Sequence, residues 1–275
     1  MSRRCGHQLD VWLRTLWALP SAAALFASCW WIPRPAVVPL RTIAYPGAGA
    51  AAGDLLVFLP GRGDRAEDFA ERGLLAAART AGLEADVLAV DAHLAYYYKR
   101  VITERLWADV VLSARARGYR RLWVVGISLG GLGSISLAKE HPDAVAGILA
   151  IAPYLGEPDL SREIEAAGGL ARWNGAPSEA DFRGVWGFLR GYAAKDERTP
   201  LWLAYGESDR YAYGHRLLAT TLPADRVLVA PGGHDWNAWD RLWAEFLARG
   251  AFPGTIQAAA GRRRGGVTRV YSSRD

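Results

Sequence analysis

The sequence predicts an α/β fold: a mostly parallel, doubly wound sheet carrying one short helical lid insertion. Three observations point there. Six short apolar runs recur along the chain, amphipathic stretches of helical length lie between them, and the alternation stops in one interval only. Runs of this length that are apolar at nearly every position suit strands buried on both faces, as parallel strands are. Strand and helix in alternation then give right-handed crossovers, with helices covering both sides of the sheet.

In chain order, "LLVFLP" (55–60) leads into a helical stretch Ala66–Ala81, and "DVLAVD" (86–91) into a helix Tyr97–Arg117. "RLWVVGI" (121–127) is followed by a helix Leu129–Glu140, and "GILAIA" (147–152) by the interval Tyr154–Thr199. That interval is interrupted by "AAGG", "NGAP" and "LRGY". So long a connection in a compact domain is usually functional, and a small helical lid (about 154–199) over the carboxyl edge of the sheet is expected. Its bulky residues Trp173, Trp186 and Phe188 are expected to face the substrate. "PLWLAY" (200–205) and "RVLVA" (226–230) resume the pattern, and a helix Trp236–Arg249 ends it. In that helix Trp236, Trp239, Leu242, Trp243, Phe246 and Leu247 form one apolar stripe, which reads as core.

The 275 residues suit one large domain, and 12 tryptophans supply a sizeable core. The formal net charge of +5 sits at the two ends. From Gly261 onward five arginines face one aspartate, and before Cys29 Arg3, Arg4 and Arg14 face Asp10. A near-neutral body with basic ends is not a nucleic-acid footprint, so no nucleic-acid partner is expected. Residues 1–28 read as a targeting segment, because the early arginines precede "TLWALPSAAALFAS", an apolar stretch short for a membrane span. It ends at Cys29, and "LFASC" resembles the lipobox of bacterial lipoproteins. Cys29 is thus the lipidation candidate. The expected location is outside the cytoplasm, as a periplasmic or membrane-anchored lipoprotein associated with the membrane through its N-terminus. Cys5, the other cysteine, lies in the targeting segment, so the folded body has no disulfide. Residues 29–53, with "IPRPAVVP", read as a linker into the fold, 54–250 as the catalytic domain, and 251–275 as a basic, disordered tail.

The chemistry centres on "VVGISLGGLGS" (124–134), where Ser128 stands among Gly126, Gly130 and Gly131 straight after a strand. A tight strand-to-helix turn lifts a serine hydroxyl above the sheet at the positive end of a helix. Serine needs a base, and the base needs a carboxylate to orient it. Among the five histidines His234 in "VLVAPGGHDW" follows the last strand directly on a glycine-flanked loop, whereas His141 ends a helix and His7 lies in the targeting segment. His93 and His215 lack a strand-end loop in the right order. The acid is sought in "PLWLAYGESDR". Asp209, one loop turn past the strand, is preferred to Glu207, and Asp235 is the weakest choice. An oxyanion needs two backbone N–H groups. Leu129, directly after the serine, and Arg62 in "LPGRGDRAEDF" are the candidates.

On these residues the chain resembles the α/β-hydrolases, over residues 54–250. "PGRGDRAEDF" resembles the "HGRG" loop of phospholipase/carboxylesterase-type members, with Pro60 where they carry histidine. "GGHDWNAW" resembles the histidine loop of the esterase D-like group. The resemblance implies Ser128 as nucleophile, Asp209 as acid and His234 as base. The expected activity is hydrolysis of small uncharged carboxylic esters through an acyl-enzyme, with no metal and no organic cofactor. Two rivals share the fold: an acyltransferase using the same triad, and a binding protein without catalysis. Alcoholysis in a mixed acceptor separates the first, and failure to react with a fluorophosphonate the second.

Overall fold

The computed structural model describes residues 34–47, 53–175, 182–194 and 199–252. The targeting segment with Cys29, and the tail beyond Phe252, lie outside the described residues. Seven strands form one sheet: β1 Thr42–Tyr45, β2 Asp54–Leu59, β3 Val87–Val90, β4 Arg121–Ile127, β5 Val145–Ile151, β6 Leu201–Gly206 and β7 Val227–Ala230. Their order across the sheet is β1-β3-β2-β4-β5-β6-β7. β1 runs antiparallel to β3, and all other neighbours are parallel. The six strands read from sequence are all present, with ends that differ by at most two residues. β1 was not foreseen. Its four residues alternate between exposed and half-buried, the weak pattern of an edge strand.

Helices cover both faces. Described in chain order, they are α1 Asp68–Glu71, α2 Leu74–Thr80, α3 Leu94–Tyr98, α4 Ile102–Arg105, α5 Leu112–Ala116, α6 Leu129–Glu140, α7 Pro158–Ala166, α8 Phe182–Ala193, α9 Ala212–Ala219 and α10 Trp236–Ala248. A π-helical turn, Leu106–Val111, joins α4 to α5. The stretch expected as one helix over 66–81 is two, because the chain turns at Gly73 with φ +83°, left-handed backbone that glycine adopts without strain. The helix expected over 97–117 begins earlier, at Leu94, and is interrupted before Ile102 where Arg100 takes φ +57°.

Alternation along the strands divides the core in two. Leu55, Val57, Leu59, Leu122 and Val124 meet Tyr96, Leu106, Ile135, Ile164, Trp186 and Leu218 on one face. Leu56, Phe58, Trp123, Val125 and Ile127 meet Phe69, Leu74, Trp243 and Phe246 on the other. Side chains of a strand point alternately to opposite faces, and here both are covered, so the runs read as continuously apolar.

The interval 154–199 lies between β5 and β6. Its described part is built into the first face. Trp173 and Trp186 are fully buried, with Val185, Leu189 and Tyr192, in the core that also holds Ile135 of α6. The Trp186 indole N–H donates to the Leu155 carbonyl at 3.0 Å, and the Trp173 indole N–H to Glu163 Oε1 at 2.9 Å. Phe188 is half-buried against the same core, edge-on to Tyr192. The expectation that Trp173, Trp186 and Phe188 face the substrate is therefore corrected: Trp173, on the segment between α7 and α8, and Trp186 and Phe188, on the amphipathic α8, pack inward against the sheet layer.

Candidate active site

The site is assembled at the carboxyl ends of β4, β6 and β7. β4 ends at Ile127, and Ser128 turns the chain into α6 with φ 51° and ψ −109°, a conformation non-glycine residues rarely adopt. The surroundings hold it there. The Ser128 N–H donates to the Ile151 carbonyl at 2.8 Å, and the Ser128 carbonyl accepts from Tyr154 N–H at 2.9 Å and Leu132 N–H at 3.2 Å. The glycines permit the crossing. A Cβ on Gly130 would lie 2.1 Å from the Leu59 carbonyl oxygen, and one on Gly126 would lie 2.2 Å from the Gly130 oxygen. Only backbone fits where the start of α6 passes β2 and β4.

The loops after β6 and β7 are laced together. Glu207 N–H donates to the Ala230 carbonyl at 2.9 Å and Ser208 N–H to the Gly232 carbonyl at 3.0 Å, which brings Asp209 beside the loop of His234. Three side chains then form one line. Ser128 Oγ lies 2.8 Å from His234 Nε2, and His234 Nδ1 lies 2.8 Å from Asp209 Oδ2. The other oxygen of Asp209 accepts the Tyr211 N–H at 2.7 Å. A carboxylate at Nδ1 holds the proton on that nitrogen and leaves Nε2 able to accept from the serine. Burial works to raise the Asp209 carboxyl, but the hydrogen bonds from His234 and Tyr211 outweigh it, and the group is held below its ordinary range.

The competing residues have other work. Asp235 caps α10, accepting from Asn237 N–H at 2.9 Å and Ala238 N–H at 3.2 Å, and Glu207 is exposed. His141 stacks on Trp107 with ring centres 3.9 Å apart, and His93 precedes the first residue of α3. His215 is fully buried and its Nε2 meets the Pro153 carbonyl at 2.8 Å. Leu129 opens α6, so its amide sits beside the serine at the helix's positive end. Arg62 is exposed in a turn closed by the Asp64 N–H on the Gly61 carbonyl at 3.3 Å.

Four aromatic residues around the line were not singled out for it from sequence. The His234 ring stands edge-on between Tyr211, at 5.0 Å, and Trp239, at 5.2 Å. Tyr154 meets Tyr211 at 5.3 Å and Phe182 at 5.2 Å. Burial and a hydrogen bond to Glu157 push the Tyr154 hydroxyl up, and the nearby Arg62 guanidinium works against that rise. Sequence position offered a signal for two of them, since Tyr211 follows Asp209 by two residues and Tyr154 follows the end of the strand next to β4.

A line of this kind at the carboxyl edge of a parallel sheet, on a strand-to-helix turn, defines an α/β-hydrolase. Residues 76–249 match the family model Esterase, described as "Putative esterase", and the chain belongs to that family: it is an esterase. Solved structures agree on the fold. A hydrolase from Thermoplasma acidophilum, described as CIB-like, is similar with a TM-score of 0.52 at 18% identity, over 78% of this chain and 96% of that one. Est1E from Butyrivibrio proteoclasticus is similar with a TM-score of 0.51 at 15% identity, over 78% and 94%. An S-formylglutathione hydrolase from Staphylococcus aureus is similar with a TM-score of 0.50 at 16% identity, over 79% and 98%. Comparison with curated proteins gives no match.

Proposed function

We propose that this esterase hydrolyses small uncharged carboxylic esters by acyl transfer through Ser128. Ser128 Oγ attacks the ester carbonyl carbon while its proton passes to His234 Nε2, and Asp209 balances the imidazolium that forms. The N–H groups of Leu129 and Arg62 stabilise the negative oxygen of the tetrahedral intermediate. His234 returns the proton to the departing alcohol, leaving an acyl group on Ser128. Water, with its proton taken by the same nitrogen, releases the acid.

The observation that carries this reading is the unbroken hydrogen-bonded line Ser128–His234–Asp209, with 2.8 Å at each step. An uncharged substrate is favoured by the aromatic rings of Tyr154, Tyr211 and Phe182 beside the line. The test is a series of nitrophenyl esters of increasing chain length, neutral and anionic, with the parent protein and with Ser128→Ala. Neutral esters should be cleaved by the parent alone, and a fluorophosphonate probe should label Ser128. Preferential cleavage of anionic acyl groups would overturn the substrate class. We also propose export with acylation at Cys29; mass spectrometry of the exported protein showing an unmodified Cys29 would end that reading.

A further inference from the structure

Between β2 and α1 the chain turns through Gly61, Arg62, Gly63 and Asp64, and Asp64 carries a half-buried carboxylate that the triad does not use. Its Oδ1 accepts the indole N–H of Trp236 at 3.2 Å, across 172 residues of sequence. Its other oxygen, Oδ2, lies against Gly61. The backbone N–H of Asp64 donates in turn to the Gly61 carbonyl at 3.3 Å. Asp64 therefore holds the Gly61–Arg62 peptide plane through its backbone N–H and abuts Gly61 with its carboxylate.

This has a directional consequence. A trans peptide is planar, and its C=O and N–H point opposite ways. Holding the Gly61 carbonyl fixes the direction of the Arg62 N–H in the same plane, and the carboxylate, anchored on Trp236, steadies the turn in which the Asp64 backbone makes that bond. The held residue also abuts the nucleophile. A Cβ built on Gly61 would lie 2.7 Å from Asp64 Oδ2 and 3.6 Å from Ser128 Cβ. At its other end the carboxylate reaches Trp236, the first residue of α10, whose ring packs edge-on against Trp239 at 5.2 Å. Trp239 in turn packs edge-on against His234.

We propose that Asp64 is a positioning residue: its carboxylate orients the loop that presents the Arg62 N–H to the oxyanion, and ties that loop to the helix following His234. The proposal rests on the reading of Ser128 as nucleophile and of the Arg62 amide as a donor.

The test compares Asp64→Ala and Asp64→Asn with the parent on a nitrophenyl ester, together with inhibition by a trifluoromethyl ketone, whose serine adduct carries the oxyanion. Asp64→Ala is expected to lower kcat by about tenfold to a hundredfold with KM little changed, and to weaken the ketone by a similar factor. Asp64→Asn, which keeps one acceptor oxygen in nearly the same shape, is expected to lose less than alanine and more than nothing. A merely structural role would lower the melting temperature and the amount of active protein without moving the kcat-to-KM split or the ketone affinity. Parent-like kcat and ketone affinity in Asp64→Ala would overturn the proposal, as would an asparagine variant equal to alanine. If Asp64→Ala does not fold, the asparagine variant decides, and parent-like kcat and ketone affinity there overturn it. Ser128→Ala in the same series separates two failures. An active Ser128→Ala overturns the nucleophile itself, whereas an inactive one beside a fully active Asp64→Ala overturns only the role of Asp64.

Discussion

The carboxyl edge of the sheet and the interval 154–199 were both read from sequence as functional, and the structure treats them differently. At the edge, Ser128, Asp209 and His234 stand on strand-end turns and come within hydrogen-bonding distance of one another. In the interval, Trp173 and Trp186, expected at a pocket, went into the core, and Phe188 lies half-buried against it. A polar side chain one or two residues past a strand has few places to go, because the strand's end and register fix its origin. An aromatic residue on an amphipathic helix reports only that its face is covered. It does not report whether substrate or sheet does the covering, and burial of apolar area favours the sheet whenever it is within reach.

The sharpest way to break the edge reading is to remove its members. Ser128→Ala and His234→Ala should each lower kcat by about four to six orders of magnitude, and the double variant should lose little more, because the residues act as a unit. Losses that multiply would break the unit. Asp209→Asn comes next, at about ten-thousandfold in kcat, since the amide can hold the wrong tautomer of His234. Asp235→Asn should stay near the parent, because asparagine caps a helix as well as aspartate does. Glu207→Gln should also stay near it. A Glu207 variant more damaged than the Asp209 variant would move the acid to Glu207.

Legibility follows the same division. The six parallel strands were readable because burial on both faces makes them apolar throughout, and α6 because glycines frame its start. β1 was not, since an antiparallel edge strand of "TIAY" with a half-exposed pattern looks like the end of a linker. The break at Gly73 is a local backbone event that periodicity over 66–81 conceals. In the site, residue type and chain order pointed to Ser128, Asp209 and His234. Trp239 fitted the core stripe equally well, and only three-dimensional packing brings its edge to His234. Asp64 was within the quoted glycine turn, but its partner Trp236 is too distant in sequence for any local pattern to pair them.

The interval gives the next prediction. Trp186→Ala removes a fully buried indole and strands the Leu155 carbonyl, so it should cost about 3–5 kcal/mol of stability. Urea unfolding measures this. The folded fraction should keep the parent's ratio of KM between acetate and longer esters. A ratio that shifts selectively against long chains would return Trp186 to the pocket.

The smallest expected effect lies where the two regions meet. His215, on α9, is fully buried and bonded to the Pro153 carbonyl, on the loop whose Tyr154 N–H holds the Ser128 carbonyl. Its Nδ1 is buried with no hydrogen-bond partner among the described residues, so a second proton there would find no acceptor among them. Burial pushes the imidazole down from 6.5 to about 4; the Pro153 hydrogen bond and Asp209 oppose that shift, and His234 and Arg216 add to it. Between these pH values the unfolded chain takes up a proton that the folded one refuses, so stability falls as pH drops from about 6.5 towards 4. The total is about 3 kcal/mol, and none of it is lost above the ordinary histidine range. Asp209, held low, adds its own loss only at more acid pH, below the ordinary carboxylate range, while the raised Asp64 and Asp240 act in the opposite sense. The difference from His215→Gln isolates the imidazole, because glutamine can still donate to Pro153 and does not titrate. Urea midpoints taken from pH 7.5 to 4 should converge between parent and variant as pH falls, if glutamine begins the less stable, or diverge in the variant's favour, if it begins level. Parallel midpoint curves over that range would mean that His215 takes its proton as readily folded as unfolded, and the clamp between α9 and the Ser128 turn would then be wetter than its burial implies.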